Sequence, residues 1–292
     1  MTQFKGIYTA LITPFKNGEV DEAAFRELVA WQIDEGVHGL VPCGTTGESP
    51  TLSYEEHKRV ITLAVDVAAG RVPVMAGTGA NSTEEAIMFT RHAKEAGADG
   101  ALVVAPYYNK PSQEGVYQHY KAIHDAVAIP IVVYNIPGRS VINISDETLV
   151  RIGQLERVVG VKDATGDLSR PYTLRAAGGE DLQQLSGEDM TAVAFNVAGG
   201  QGCISVASNV MPKLTSRVQH ACLEGRFDEA AALHEQLVRL NEVLFCETSP
   251  GPVKYALSLM GKCSAELRLP LVEPSDGAKD KIRKIVQELG LI

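Results

Sequence analysis

Residues 158–167 read VVGVKDATGD, an apolar, β-branched run that a lysine interrupts before the segment closes in a turn. Strands of this composition usually lie inside a parallel sheet that is covered on both faces. At Lys162 a buried ammonium group would lose its hydration, which is costly without a partner. Two interpretations follow. Either Lys162 points to solvent from an edge strand, or its amine is held inside the protein for chemistry.

Seven more apolar runs share the character of this one. Each is rich in Val, Ile or Leu and ends in Gly, Pro, Ser, Thr or Asn, a pattern typical of a strand followed by a turn. The runs begin at residues 6, 38, 72, 100, 129, 182 and 202. Helical patterns lie between them, and eight alternations predict parallel βαβ units that close into a (β/α)8 TIM barrel of the α/β class. A doubly wound open sheet is the alternative.

Two of the intervening segments carry a signal for a helix start. Ser53 is followed three residues later by Glu56, and Ser82 is followed by Glu85. A serine that caps the helix and a glutamate that reaches back to it form a capping box. Both segments are therefore predicted to begin helices at these serines.

The last third of the chain lacks strand signals. We predict a (β/α)8 catalytic barrel over residues 1–224 and a C-terminal helical domain over residues 225–292. Residues 214–245 indicate two helices that are broken near Gly225, and residues 275–290 indicate a last helix.

The composition is that of a globular protein, with 292 residues, 45% hydrophobic and 22% charged, and a formal net charge of −9. An acidic surface repels phosphate backbones, so nucleic acid is not an expected partner. The five cysteines are odd in number and show no C-x-x-C pair, which favours reduced thiols. No apolar run approaches the ~20 residues of a membrane span. We expect a soluble, cytoplasmic protein that does not associate with membranes.

No metal or cofactor is expected from the motifs. The sequence has no H-x-H, H-E-x-x-H or Cys/His cluster, and the seven histidines are scattered. The GTGANS segment has two of the three glycines of a dinucleotide fingerprint, and there is no Walker-type loop.

Reactive side chains gather where the predicted strands end. In a barrel, the active site forms at the carboxyl ends of the strands. The residues at those ends are Thr45, Thr46, Glu48 and Ser49, then Tyr107 and Tyr108, then Tyr134, Asn135 and Arg139, then Lys162 and Asp163, and finally Ser186, Gly187, Glu188 and Asp189.

Lys162 is the candidate nucleophile. Apolar surroundings disfavour the charged form of a lysine, so that a neutral amine becomes available. Such an amine attacks a ketone or aldehyde and forms a Schiff base, and the iminium then lets the neighbouring carbon lose a proton. The enamine that results is a carbon nucleophile. The alternative is a solvated ammonium group at the end of a strand.

Tyr134 is the candidate acid and base. A tyrosine beside a developing carbinolamine can shuttle protons if its hydroxyl is bonded to another hydroxyl. Thr45 could supply that hydroxyl, and Tyr108 could be a further link. The alternative for each tyrosine is an aromatic core residue whose hydroxyl is satisfied.

Arg139 and the GTTGES turn at residues 44–49 are candidate carboxylate-binding groups. A guanidinium at the rim of a pocket grips a carboxylate with two hydrogen bonds. The turn offers backbone N–H groups and two hydroxyls to a small carboxylate. The alternatives are a surface ion pair for Arg139 and a plain turn for GTTGES.

Five motifs together carry a family resemblance over essentially the whole chain. They are GTTGES, AGTGANST, APYYNKP, YNIPGR and GVKDATGD. With them the chain resembles the dihydrodipicolinate synthase family, within the superfamily of pyruvate-dependent class I aldolases and N-acetylneuraminate lyases. The resemblance implies a lyase with a (β/α)8 barrel and a C-terminal helical domain, usually a homotetramer. The implied reaction condenses pyruvate with L-aspartate 4-semialdehyde, in diaminopimelate and lysine biosynthesis.

The resemblance implies a catalytic role for four residues. Lys162 would form the Schiff base with pyruvate, and Tyr134 would donate and accept protons. Thr45 would relay protons between Tyr134 and Tyr108, and Tyr108 would reach in from a neighbouring subunit.

Four further residues match substrate-binding positions of the family. Thr46 would bind the pyruvate carboxylate, and Arg139 would hold the carboxylate of the semialdehyde. Gly187 and Ile204 match positions that line the pyruvate site through their backbones.

Inhibition by L-lysine at a subunit interface is also implied. Tyr54 stands where some lysine-sensitive relatives carry a histidine, and the alternative role of Glu85 is that of capping-box partner. Asp163 stands where many members carry a glutamate. The positions that match the lysine site are Ser49, Pro50, Tyr54, His57, Asn81, Glu85 and Tyr107.

Two other functions fit parts of this pattern. An aldolase that cleaves sialic acid or a keto-deoxy sugar acid would share the lysine and the tyrosine, but Arg139 suits a short aldehyde that carries a carboxylate. A non-catalytic binding protein on the same barrel would have no use for a proton relay.

Overall fold

The computed structural model describes residues 3–292 and shows a barrel of eight parallel strands. The strands are β1 (Gly6–Ala10), β4 (Gly39–Val41), β5 (Met75–Gly77), β6 (Gly100–Val104), β7 (Ile131–Asn135), β8 (Val158–Asp163), β9 (Gln183–Ser186) and β10 (Gly202–Ser205). Their order is β4-β1-β10-β9-β8-β7-β6-β5. A parallel bridge between Leu40 and Val74 joins β4 to the segment entering β5 and closes the ring. The predicted (β/α)8 barrel is confirmed, and the open sheet is wrong.

Helices cover the outside of the barrel, and a short hairpin of β2 (Phe15–Lys16) and β3 (Glu19–Val20) follows β1. The helices are α1 (Glu22–Asp34), α2 (Tyr54–Ala68), α3 (Thr83–Ala96), α4 (Gln113–Ala126), α5 (Pro137–Ser140), α6 (Asp146–Gly153), α7 (Arg170–Ala176), α8 (Ala192–Val197), α9 (Pro212–Leu223), α10 (Phe227–Glu235), α11 (Val238–Leu244), α12 (Gly251–Leu259) and α13 (Asp276–Glu288). Two 3-10 turns lie at Ser49–Thr51 and Ala207–Asn209. Within residues 3–292, every helix falls short of the length and apolar character that a bilayer span needs.

The two capping boxes differ. At the start of α2 the Ser53 hydroxyl accepts from the Glu56 N–H, and the Glu56 carboxylate accepts from the Ser53 N–H. At the start of α3 the Ser82 hydroxyl accepts from the Glu85 N–H at 3.5 Å, and this serine cap is the part of the box that forms. The capping-box interpretation is thus confirmed for Ser53 and only half correct for Ser82.

The C-terminal part of the chain has five helices, two more than the three predicted, because the second predicted helix is divided and α12 forms between the predicted segments, where a turn rich in proline was the expectation. The break near Gly225 is confirmed, but a second break at residues 236–237 separates α10 from α11. This break lets α10 pack against α9 while α11 packs against α13. The predicted domain boundary at residues 224–225 falls in the turn between α9, which packs on β1, and α10. The division into two domains stays a prediction.

The barrel interior is filled by side chains from every second strand position. Phe4 and Tyr8 meet edge to face, with ring centroids 5.9 Å apart. Glycines at the starts of β4 and β6 make room for them, because a Cβ at Gly39 would lie 2.0 Å from the Tyr8 ring and one at Gly100 would lie 2.6 Å from the Phe4 ring. Large rings opposite glycines are one way to close a small barrel without a void.

A β-bulge in β8 decides which way Lys162 points. Ile131 pairs with Val158, but the next residue of β7 pairs with Gly160, so that Val159 is an extra residue. Strict alternation would put Lys162 on the same face as Val158, which packs in the outer layer against the helices. The bulge reverses the alternation, and Lys162 pairs with Tyr134, whose side chain belongs to the interior.

Arg268 ties the C-terminal segment to the start of α2. Its guanidinium donates to both oxygens of Glu56 at 2.5 and 2.7 Å and to the carbonyl of Thr51 at 2.9 Å. The hydrogen bonds from Arg268 to the Glu56 carboxylate are the main cause that lowers the pKa of Glu56 from 4.5 to about 2. Partial burial of Glu56 acts in the opposite direction.

We expect Glu56→Gln to lower the free energy of unfolding by about 1 kcal/mol near neutral pH, because the lost ion pair is partly solvated. Glutamine can keep the capping box, so the change isolates the charge. The stability from a carboxylate with a lowered pKa is complete above pH 4.5 and is lost as the pH falls toward about 2. Denaturant unfolding of both proteins at about pH 7 and about pH 3 should show the difference shrinking. A difference that is the same at both pH values would contradict this account.

Candidate active site

Lys162 and Tyr134 face each other inside the barrel near the carboxyl ends of β8 and β7. The Nζ atom of Lys162 lies 4.0 Å from the centroid of the Tyr134 ring, an arrangement in which the ring face attracts a cation. The two residues are only 6% and 5% exposed. Lys162 is therefore held inside the protein, and the edge-strand interpretation is wrong.

Gly187 and Ile204 lie on the same interior surface. The N–H of Gly187 donates to the carbonyl of Asp163 at 2.6 Å, which joins the turn after β9 to the end of β8. A Cβ at Gly187 would lie 3.0 Å from Cε of Lys162 and 2.7 Å from Cβ of Ala164. Ile204 is buried on β10 within the interior cluster. The structure thus brings both residues to the surroundings of Lys162.

Thr45 stands between Tyr134 and the open end of the barrel. An inner cavity of about 30 Å³ is lined by Tyr134 and Thr45, and an outer cavity of about 210 Å³ is lined by Thr45, Ser49, Tyr107 and Arg139. Thr45 lines both cavities, so the structure places it where a hydroxyl could link them. Thr46 follows it in the same turn and is buried.

Tyr108 points away from the cavity of its own chain. Its side chain is 87% exposed, and its φ of +72° lies in the left-handed region that bulky residues rarely adopt. The structure therefore brings Tyr134 and Thr45 together but leaves the third hydroxyl of the expected relay on the surface.

Arg139 projects over the outer cavity from α5. Its Nη2 atom donates to the carbonyl of Ser249 at 3.4 Å, a contact with the turn that precedes α12. Among residues 3–292 no carboxylate forms a salt bridge with it, so the surface ion pair expected as the alternative is not formed. The guanidinium retains donors for an anionic ligand in the cavity.

The positions that match the lysine site form a neighbouring cluster. The imidazole of His57 stacks on Phe89 at 3.9 Å between centroids, and its Nε2 lies 2.8 Å from the carbonyl of Gly77. Burial lowers the pKa of His57 to about 4, so the ring is neutral near pH 7. Tyr54 meets the same Phe89 ring edge to face and is about half exposed.

Glu85, Asn81 and Tyr107 complete this cluster. Partial burial and the charge of Glu85 raise the pKa of Tyr107, while a hydrogen bond from the backbone of Asn81 opposes the shift. A carboxylate beside an aromatic hydroxyl and a polar backbone suits a ligand that carries an ammonium group. Ser49, Pro50 and Tyr107 line the outer cavity, which connects the cluster to Thr45 and Arg139.

Two supporting carboxylates sit behind the site. Asp163 accepts from the N–H and hydroxyl of Thr165 at 2.9 and 2.6 Å and from Arg170 at 3.2 Å, which fixes the end of β8. Asp189 is buried and accepts from the Ser205 hydroxyl at 2.5 Å and from the N–H groups that follow it. The sequence places both residues at strand ends, but it carries no sign of their partners.

Other contacts at the site had no local signal in the sequence. Ser249 supplies a carbonyl to Arg139, and Lys254 forms a buried ion pair with Glu48 at 2.6 Å. Each contact joins residues that lie more than 100 positions apart in the sequence. Arg139 contacts Ser249, and Glu48 contacts Lys254.

The fold and the site together define a class of enzyme. A buried amine over the ring of a tyrosine, at the carboxyl end of a (β/α)8 barrel, is typical of a lyase that works through a Schiff base. Comparison with known proteins then identifies the family. The model of the dihydrodipicolinate synthetase family matches residues 3–289.

Relatives of known sequence and structure agree with this match. The chain is 61% identical over 289 residues to the 4-hydroxy-tetrahydrodipicolinate synthase of Rhodospirillum centenum, with 99% of each chain covered. The chloride-inhibited dihydrodipicolinate synthase from Acinetobacter baumannii, complexed with pyruvate, superposes with a TM-score of 0.97 at 44% identity, covering 99% of this chain and 100% of that one. DHDPS from Cyanidioschyzon merolae with lysine bound superposes with a TM-score of 0.95 at 36% identity, covering 99% of each chain.

This chain belongs to the dihydrodipicolinate synthetase family. The family resemblance expected from the five motifs is confirmed.

We expect Gly187→Ala to lower kcat/KM for pyruvate by about 100-fold, because the added methyl group would push Lys162 from its position and small displacements of reacting groups cost about that much. Gly277→Ala on α13 is the matched control, since a Cβ there meets nothing within 4 Å. Steady-state kinetics of both variants test this. Wild-type kinetics in Gly187→Ala would show that the space beside Lys162 is not needed.

Proposed function

We propose that the protein condenses pyruvate with L-aspartate 4-semialdehyde to give 4-hydroxy-tetrahydrodipicolinate, in diaminopimelate and lysine biosynthesis. The observation that carries the proposal is the amine of Lys162, held inside the barrel 4.0 Å from the ring of Tyr134. It is supported by the name of a relative that is 61% identical and by pyruvate in the structure of another relative.

The chemistry follows from the amine. The Nζ atom of Lys162 attacks the carbonyl carbon of pyruvate, and the carbinolamine loses water to leave an iminium. The iminium draws electrons from the adjacent methyl group, which loses a proton to give an enamine. The enamine carbon then bonds to the aldehyde carbon of the semialdehyde, whose oxygen takes up a proton. Attack of the semialdehyde's own amino group on the iminium carbon closes the ring and releases the lysine.

Each proton transfer needs a group within reach of the reacting atoms. Tyr134 lies against Lys162, so its hydroxyl serves the carbinolamine as acid and base. Thr45, which lines the cavities on both sides, passes protons between Tyr134 and Tyr108. Tyr108 of one chain reaches the site of a neighbouring copy, in keeping with its exposed, left-handed position.

The substrate carboxylates have separate partners. Thr46 in the turn after β4 binds the pyruvate carboxylate, and the backbones of Gly187 and Ile204 line the pyruvate position. Arg139 at the rim of the outer cavity binds the carboxylate of the semialdehyde. With these partners, the carbonyl carbons of pyruvate and of the semialdehyde would lie between Lys162 in the barrel interior and Arg139 at the rim of the outer cavity.

The same proposal includes assembly and location. A homotetramer is proposed because the family resemblance implies one, and a relay that borrows Tyr108 from a second chain requires at least a dimer. The cytoplasm is the proposed location, because the substrates are metabolites of amino-acid biosynthesis. Residues 225–292 are proposed as a helical domain that supports the barrel.

We expect Lys162→Ala to retain the fold and to abolish turnover, because no other amine replaces the nucleophile. Pyruvate followed by borohydride should attach to the wild-type protein and to Lys284→Ala, a control at an exposed lysine, but not to Lys162→Ala. Mass spectrometry locates the reduced adduct. Turnover by Lys162→Ala would overturn the mechanism.

The substrate is tested by comparing three reactions of the wild-type protein. Rapid pyruvate consumption with L-aspartate 4-semialdehyde supports the proposal. Cleavage of sialic acid or of a keto-deoxy sugar acid in its place would keep the Schiff base and assign the protein to a sister aldolase. A protein that binds pyruvate without any of the three turnovers would be a binding protein.

L-lysine is proposed as an inhibitor that binds the cluster of Tyr54, His57, Asn81, Glu85 and Tyr107 beside Ser49 and Pro50. The observation that supports it is the carboxylate of Glu85 beside Tyr107, with the neutral ring of His57 close by on α2. A relative has been solved with lysine bound.

We expect Glu85→Gln to raise the lysine concentration for half-inhibition by about 10-fold, which corresponds to losing about 1.4 kcal/mol of charge pairing. Glu84→Gln, at the neighbouring exposed carboxylate, is the matched control. Initial rates at a series of lysine concentrations measure both. Equal inhibition of the two variants would remove Glu85 from the lysine site.

A further inference from the structure

The turn after β4 carries Thr45 and Thr46 and is closed by backbone hydrogen bonds between residues three positions apart. The N–H of Gly47 donates to the carbonyl of Gly44, and the N–H of Glu48 donates to that of Thr45, both at 3.1 Å. The hydroxyl of Thr13 donates to the carbonyl of Gly47 at 2.7 Å. We call residues 43–52 the β4 loop.

Glu48 is one of two residues of the β4 loop in the left-handed region, the other being Cys43 with a φ of +56°. The φ of +54° and ψ of +35° at Glu48 lie in the left-handed region, which costs a non-glycine residue about 1–2 kcal/mol. A glycine would remove this cost, and the loop already uses glycines at residues 44 and 47. A glutamate at this place therefore needs another reason, which its side chain supplies.

The carboxylate of Glu48 is held by the C-terminal part of the chain. Its Oε1 accepts from Nζ of Lys254 on α12 at 2.6 Å, and its Oε2 accepts from the backbone N–H of Arg268 at 3.2 Å. The ammonium of Lys254 also lies 4.1 Å from the centroid of the Phe15 ring. Both charged side chains are completely buried.

Stability alone does not account for such a pair. Burying two charges costs several kcal/mol for each ion, and apolar residues of similar volume are often as stable or more so. Burial lowers the pKa of Lys254, and the charge of Glu48 acts against this shift. An ion pair is directional and an apolar contact is not. The pair with Lys254 therefore fixes the backbone conformation at Glu48.

We propose that the Glu48–Lys254 ion pair is a positioning device, through which α12 fixes the β4 loop so that Thr45 and Thr46 face the substrate. This inference rests on the proposed function. The chain of contacts is short, because the N–H of Glu48 is bonded to the carbonyl of Thr45 and the carboxylate of Glu48 is bonded to Lys254. Neither Glu48 nor Lys254 touches the reacting atoms.

Two variants separate positioning from stability. Lys254→Met leaves the carboxylate of Glu48 buried and unpaired, so it should lower both Tm and kcat. Glu48→Met/Lys254→Met leaves no unpaired charge, so its Tm should recover toward that of the wild type. The β4 loop of the double variant still lacks the Glu48–Lys254 ion pair that positions it. Its kcat should therefore stay at least about 10-fold below that of the wild type, and its KM for pyruvate should be raised.

The KM for pyruvate is the readout that a merely structural role does not move. Partial unfolding lowers the concentration of active enzyme and hence the apparent kcat, but it leaves KM unchanged. The control is Arg268→Met, which removes contacts of the same segment with Glu56 and Thr51 while the Glu48–Lys254 pair remains. It should lower Tm and leave KM unchanged.

Recovery of Tm, kcat and KM together in Glu48→Met/Lys254→Met would overturn the proposal, since the pair would then act on stability alone. Failure of the proposed function is seen separately, as a wild-type protein that does not turn over the semialdehyde. In that case the rate at which pyruvate and borohydride label the wild type and the double variant decides the inference. Equal labelling rates would overturn it.

Discussion

The extra residue in β8 is the constraint on which the site depends. Without it, alternation along VVGVKD would turn Lys162 toward the helices, where its ammonium would meet an apolar layer. The bulge needs Gly160, because a Cβ there would lie 2.5 Å from the carbonyl of Gln183. One glycine thus lets Val158 and Val161 pack in the outer layer while Lys162 meets Tyr134 in the interior. A strand that is apolar on both faces thus carries Lys162 into the interior, where its side chain is shielded from solvent.

The C-terminal helices complete the open end of the barrel. The turn before α12 supplies the carbonyl of Ser249 to Arg139, and α12 itself supplies Lys254 to Glu48. A barrel strand ends in a loop, and loops are the mobile part of this fold. The contacts of Ser249 and Lys254 restrict that mobility at the two loops that carry Arg139 and Glu48. Under the proposed function, the helical segment would act on the reaction by positioning these loops and not by contributing a reacting atom.

The sequence predicted the architecture and the candidate site residues but not the contacts between distant segments. Eight apolar runs ending in turns predicted the barrel, because strand and turn preferences are local. Lys162, Tyr134 and Arg139 could be predicted as candidates because the residue types at a strand end are visible in the sequence, and the structure places all three at the open end of the barrel. The bulge was not predicted, since it depends on the close approach of Gln183 to a glycine. The partner of Glu48 was not predicted either, because Lys254 lies 206 residues away.

The outer cavity joins the catalytic and regulatory parts of the proposal in one place. Thr45 and Arg139 line it on the catalytic side, and Ser49 and Tyr107 line it on the side of the lysine cluster. Thr45 and Ser49 belong to one tight turn, in which the N–H of Glu48 is bonded to the carbonyl of Thr45. Under the proposal, a ligand that binds one arrangement of this turn better than another biases the position of the Thr45 hydroxyl to the extent that Ser49 and Thr45 share that arrangement.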